Sequence, residues 1–300
     1  MAPGCKPWRP GELSSLPMRI STTHVQQSVR GESVPVTIVE PRSDVVSERP
    51  RGGRDVLFMH GYARHPLDYR LLLEEAARRG WRVVAPFLFA NNGLRTPPRH
   101  FWACAALAAR TVEALRQAGV VAAGAPIFGH STGGAVSYTL ARLDPAPPAV
   151  LAINPVQPSS RHPLLFIARS GWMNTKMFVG LAGEGRTARA VLSEGAGRFY
   201  RNWLRRPGPA YQLIGGLRAF DYGRLERWLR RGGGSRTRAG VLYGCGDEFY
   251  PSHTGIEQGL QRSFDRVELR VLEEENSHEW LLFRPAKAVD ALEAFLAAEP

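Results

Sequence analysis

The chain has 300 residues and a mass of 33.1 kDa, and its composition is ordinary for a globular protein: 44% hydrophobic and 22% charged residues, which excludes wholesale disorder. No apolar run approaches the ~18–20 residues of a membrane helix, and Cys5, Cys104 and Cys245 are too few and too scattered for a disulfide framework or a zinc site. With 39 basic and 27 acidic residues the net charge is +12 and the pI about 10.3, a balance that invites nucleic acid, a membrane surface or an anionic substrate as partner.

The first residues, Met1 to Pro7, lack the apolar stretch of a signal peptide, and Cys5 does not read as a lipoprotein anchor. A cytoplasmic setting is expected. Val34, Val36 and Ile38 alternate as in a strand that Pro41 closes, and Arg49 to Gly53 form a turn-rich basic connector. Beyond it, short apolar runs alternate with helical patterns. Asp55–Met59 reads as a strand buried on both faces, Leu67–Arg79 as a helix, Trp81–Ala85 as a strand and His100–Ala118 as a helix. Gly124–Phe128 is a predicted strand, Ser131–Leu143 a helix, and Val150–Ile153 a strand. The rhythm returns with strands at Gly240–Tyr243 and Val267–Val271 and a helix at Ala286–Ala297. The fold class expected is α/β, a mainly parallel sheet with helices on both faces.

Residues 156–238 interrupt this order with helical patterns and no strong strand, and Gly232 to Ser235 read as a flexible return. The expected organisation is therefore a core of residues 1–155 and 239–300 carrying a helical cap at 156–238.

Gly129-His130-Ser131-Thr132-Gly133 is a G-x-S-x-G sequence set between a predicted strand and a predicted helix, the setting that a nucleophile elbow requires. A turn this tight leaves no room for Cβ atoms at its flanks, hence Gly129 and Gly133. It lifts the Ser131 hydroxyl off the sheet at a helix N-terminus, where the Thr132 N–H faces a developing oxyanion. A serine needs a base. Asp247 stands just past one predicted strand and His278 past the next, while His60-Gly61-Tyr62 ends the first buried strand and offers the Tyr62 N–H as a second oxyanion donor. Parallel strands bring these ends to one edge. His253 competes with His278 as base, and Glu248 and Asp265 compete with Asp247; His253 reads better as a helix cap, and Asp247 lies closest to a strand end. His130 should point away from the nucleophile, and His65 reads as a site-lining or surface residue.

The four segments HGY, GHSTGG, GCGDEFYP and NSHEW, in this order, resemble those of the α/β-hydrolase superfamily over roughly residues 30–155 and 239–298. The resemblance implies an α/β-hydrolase fold with a lid at 156–238, Ser131 as nucleophile, His278 as base, Asp247 as its orienting acid, and Tyr62 and Thr132 as oxyanion donors. The sequence after the WRVVA strand, Pro86 to Asn92, departs from the Asp- and Gly-rich pattern of many members. The expected activity is hydrolysis of carboxylic esters of a lipophilic, small-molecule acyl substrate. Thioester, lactone, amide or C–C bond hydrolysis, acyl transfer, perhydrolysis, or a non-catalytic binding role on the same fold are the alternatives. No cofactor and no metal are expected: Gly183 to Ala188 match G-x-G-x-x-A without a preceding strand, and no P-loop, H-E-x-x-H or C-x-x-C occurs.

The charge settles on one segment. Residues 156–238 hold 16 basic and 4 acidic side chains, whereas the rest of the chain holds 23 of each. Nucleic-acid motifs are absent, so no nucleic acid is expected; the basic cap reads first as a solvated arginine-rich surface, with peripheral contact with anionic lipid as the partner hypothesis beside it.

Overall fold

Alternation within the apolar runs determines how the sheet is covered. In β3 (Arg54–Met59), Leu57 and Met59 enter one core and Val56 and Phe58 the other. The same division holds in β6 (Ala149–Ile153), where Val150 and Ala152 oppose Leu151 and Ile153. It recurs in β7 (Arg238–Gly244), with Val241 and Tyr243 against Leu242. A strand buried on both faces has no position for a polar side chain, which is why these segments are continuous apolar runs.

The computed structural model describes residues 18–26, 33–41, 54–61, 64–88, 100–155, 225–227, 236–247, 254–275 and 277–298. β1 (Met18–Gln26), β2 (Ser33–Pro41), β4 (Trp81–Pro86), β5 (Ile127–His130) and β8 (Arg266–Leu272) complete an eight-stranded sheet of order β1-β2-β4-β3-β5-β6-β7-β8. β1, β2 and β4 pair antiparallel in turn, and every pair from β4 to β8 is parallel. The C-terminal ends of β3 and β5 to β8 therefore share one edge.

Helices α1 (Arg70–Arg78) and α6 (Pro285–Ala297) cover one face through Leu72, Leu73, Val289, Leu292 and Phe295. Helices α2 (Phe101–Gln117), α3 (Thr132–Thr139) and α4 (Thr254–Gln261) cover the other through Leu107, Val112, Val136, Tyr138 and Leu260. A short helix α5 (Trp280–Phe283) leads into α6. Each Leu or Phe so buried stabilises the fold by roughly 1.5–3 kcal/mol against leaving it in water. Arg79 binds the two helices of the first face together, bonding Glu75 (2.9 Å), Glu293 (3.1 Å) and Asp290.

Two boundaries differ from the sequence reading for local reasons. The predicted strand 124–128 starts only at Ile127, because the Ala125 N–H turns back to the Ala122 carbonyl (3.1 Å) and Pro126 has no N–H. It then runs on through His130, so the ladder delivers the chain directly to Ser131. The predicted helix 67–79 opens as a 3-10 turn, Pro66–Tyr69, in which His65 accepts from the Leu67 N–H and Asp68 from the His65 N–H.

The expected cap at 156–238 lies outside the described residues except for 225–227 and 236–238. Leu225 is buried in the core that α2 and α4 share, and Glu226 accepts from Arg262 at 3.1 Å. No described helix is long and apolar enough to cross a membrane.

Candidate active site

Ser131 lies between β5 and α3 with φ 54° and ψ −122°, a region that costs a non-glycine residue about 1–3 kcal/mol. Bonds on both sides hold it there: its N–H donates to Ile153 on β6 (3.0 Å) and its carbonyl accepts the first bond of α3, from Ala135 (3.1 Å). The glycines permit the turn by close approach. A Cβ on Gly129 would stand 2.8 Å from the Gly133 carbonyl, and one on Gly133 would collide with the carbonyls of Met59 and His60. Thr132, buried, is the first residue of α3, so its N–H has no carbonyl one turn earlier to bond.

Asp247 and His278 come from the neighbouring strand ends. The Cys245 N–H donates to Leu272 and the Gly246 N–H to Glu275, both at 2.9 Å, which knits the segment after β7 to the segment after β8. His278 Nδ1 then lies 2.9 Å from Asp247 Oδ2, with the two residues 3% and 2% exposed. Burial disfavours the imidazolium, but the charge and hydrogen bond of Asp247, helped by Glu279, outweigh it and raise the His278 pKa above its ordinary value. With Nδ1–H donating to the carboxylate, the neutral ring carries its lone pair on Nε2.

Beneath this pair lies a buried polar network. The Gly61 N–H donates to the Tyr69 hydroxyl (3.0 Å), which contacts His130 Nδ1 at 2.8 Å, and His130 Nε2 contacts the His278 carbonyl at 3.0 Å. The chain of partners assigns the protons: Tyr69 donates to Nδ1, and Nε2–H donates to the carbonyl. Burial, with the positive field of His278 and Arg64, lowers the His130 pKa to about 4 against the pull of Glu279, so the ring is neutral near pH 7. The His278 carbonyl also accepts from Asn154 Nδ2 (2.9 Å), and Asn154 Oδ1 accepts from the Gly244 N–H (3.0 Å). Asn154 manages this with φ 43°, a conformation asparagine tolerates better than most residues. Next to His278, Glu279 pairs with Arg64 at 2.9 Å, both about 95% buried.

The structure thus brings Ser131, Thr132, Asp247 and His278 to one edge of the sheet. Gly61 is there too: a Cβ on it would be 3.4 Å from that of Ser131. Tyr62, His253 and Glu248 lie outside the described residues. Asp265 precedes β8 and so stands at the opposite edge from Asp247. His65 is an N-cap, and His130 is a neutral strut behind the site. Cys104 is a buried core residue, and Cys245 is exposed. Sequence reasoning passed over Tyr69, Asn154, Arg64 and Glu279. The only local signals were a polar residue ending β6 and charges beside the HGY and NSH segments. Among the described residues no group of three or more His, Cys, Asp or Glu could hold a metal ion.

Comparison with known proteins adds the lineage. No curated protein matches the sequence. Among solved structures, 2-hydroxy-6-oxo-6-phenylhexa-2,4-dienoate hydrolase from Rhodococcus sp. strain RHA1 superposes with a TM-score of 0.66 at 18% identity, over 93% of this chain and 98% of its own. A thermophilic esterase from Thermogutta terrifontis gives 0.63 at 14%, over 92% and 98%. Naproxen esterase from Bacillus subtilis gives 0.63 at 14%, over 95% and 94%. At these identities the likeness concerns the fold. The family model described as the alpha/beta hydrolase family matches residues 56–292, which span the elbow, the Asp247–His278 pair and the network behind them. The chain belongs to the alpha/beta hydrolase family.

Proposed function

We propose that this chain is a serine hydrolase that cleaves carboxylic ester bonds by way of an acyl-enzyme, with Ser131, His278 and Asp247 as its triad. The observation that carries the reading is the meeting, at one sheet edge, of a strained serine elbow and a buried His278 Nδ1–Asp247 Oδ2 bond of 2.9 Å. His278 Nε2 takes the Ser131 proton as Oγ attacks the ester carbonyl. The Thr132 N–H and the Tyr62 N–H receive the oxyanion; the Gly61 N–H is already committed to Tyr69, which supports its successor as the second donor. The imidazolium, steadied by Asp247, returns its proton to the leaving alcohol. Water activated by the same base then releases the acid. Every step uses groups of this chain.

A serine nucleophile activated by a histidine supports acyl transfer from an ester to the enzyme and then to water. The large apolar residues of the capping segment, among them Phe166, Trp172, Phe178 and Trp203, support a lipophilic acyl or alcohol group. Its 16 basic residues against 4 acidic ones support contact with an anionic lipid surface, from a cytoplasmic location. Fluorophosphonate labelling, together with a panel of p-nitrophenyl esters, acylglycerols, thioesters and lactones, tests the reading. Ser131→Ala is expected to abolish labelling and turnover, with esters the best substrates. Labelling that survives in that variant would refute the nucleophile, and preferred turnover of another class would refute the substrate.

A further inference from the structure

Arg64 and Glu279 are separated by 215 residues yet meet at 2.9 Å with almost no solvent contact. The pair has no part in the proton transfers above. Its position is its interest. Arg64 belongs to the segment leaving β3, where its N–H donates to the Gly61 carbonyl at 3.3 Å, and Gly61 packs towards Ser131. Glu279 is the next residue after His278. The second carboxylate oxygen of Glu279 is buried without a hydrogen-bond partner, and Arg64 is the cation that pairs with this carboxylate among the described residues. A surface ion pair would mean little; one held this deep must satisfy each charge or lose the other.

We propose that the Arg64–Glu279 ion pair is a positioning device for the base, locking the segment after β3 to the segment bearing His278 while each charge cancels the other's field at the imidazole. The proposal rests on His278 acting as the base. Among the described residues, the charged and titratable groups around that ring are Asp247 after β7, His130 at the end of β5, Glu279 on its own segment, and Arg64, with Asp68 and Tyr69 beside it, after β3. His130 is neutral. Asp247 bonds the ring directly and is present whatever happens to the pair. Glu279 favours the imidazolium and Arg64 opposes it, so that, of the charges around the ring, Asp247 is the largest influence, working against burial.

The test removes one charge at a time and follows His278 in two ways, by the acid limb of kcat/KM and by an NMR titration of the imidazole in a Ser131→Ala background. Glu279→Gln removes the carboxylate that faces Arg64 and is expected to move both readouts to lower pH, by on the order of one unit. Arg64→Met is expected to move them to higher pH by a similar amount, and the double variant to return them close to the parent. In each case kcat falls about tenfold with KM within about twofold. Shifts of the same sign, no shift, or a double variant as displaced as either single would overturn the proposal. Should a single variant not fold, Arg64→Lys and Glu279→Asp carry the test, because they keep the charge and disturb the bond: an unmoved pH limb with lowered kcat supports the device, whereas unchanged kcat overturns it. The titration needs no turnover, so a failure of the esterase reading would appear as lost Ser131 labelling and not as an unshifted imidazole.

Discussion

The side-chain nitrogen of Asn154 lies 2.9 Å from the main-chain oxygen of His278, and the other end of the same carboxamide accepts from Gly244 at 3.0 Å. One residue at the end of β6 thereby fixes the strand end that precedes Asp247 and the backbone of His278 itself. The clamp thereby helps to hold base and acid at their bonding distance.

Asn154→Ala is therefore expected to slow catalysis more than it weakens binding. It removes the carboxamide oxygen that the Gly244 N–H bonds, takes one of the two described side-chain donors from the His278 carbonyl, and puts alanine at φ 43°. Each loss of a buried partner costs roughly 1–3 kcal/mol. We expect a ten- to hundredfold fall in kcat with KM nearly unchanged, and a lower Tm. Steady-state kinetics on the best ester of the panel check this; a pure KM effect would contradict the clamp.

Gly133→Ala addresses the elbow without touching a reactive group. Its Cβ would run into the carbonyls of Met59 and His60, which are backbone and cannot rotate aside. The end of β3 and the start of α3 would have to separate, at a cost of about 1–3 kcal/mol or more. The expected outcome is a clear drop in the urea midpoint together with loss of fluorophosphonate labelling. A variant of parental stability and reactivity would mean that the turn has slack.

Acid stability follows from the buried histidines. Burial brings His60 to about 3 and His130 to about 4 from an ordinary 6.5. The unfolded chain takes up protons below pH 6.5 that the folded rings refuse, so their contribution is full above 6.5 and falls as pH drops towards those values. Glu279, resisted by burial but held down to about 2 chiefly by Arg64, adds a loss at still lower pH. His278 acts in the opposite sense: its raised pKa stabilises the fold below 6.5 and the effect disappears as pH rises through the folded value. Two lowered rings outweigh one raised ring, so unfolding free energy should fall by a few kcal/mol between pH 7 and pH 4. Urea melts across that range check the slope, and His130→Asn should flatten it. A flat parental profile would mean that these rings accept protons in the folded state.

The candidate reaction groups are legible in the sequence because each carries a local signature. A continuous apolar run identifies a doubly buried strand, and G-x-S-x-G between strand and helix identifies an elbow. A carboxylate or histidine past a strand end needs only parallel pairing to be brought to the same edge. Even the two shifted boundaries, at β5 and α1, yield to local chemistry once Pro126 and the His65–Asp68 box are taken into account.

The supports of the site were decided only by the tertiary structure. Tyr69 meets His130 across 61 positions, Asn154 meets His278 across 124, and Arg64 meets Glu279 across 215. No periodicity or spacing announces such partners, since a polar residue at a strand end reads the same whether it faces water or a buried carbonyl. What separates the two cases is burial, and burial depends on sheet order: β3 lies between β4 and β5, which puts Gly61 beside the serine elbow. By itself the sequence singled out the groups proposed to react; the packing of the strand ends decided what holds them in place, because an unpaired polar group inside a protein is costly enough to select its partner from anywhere in the chain.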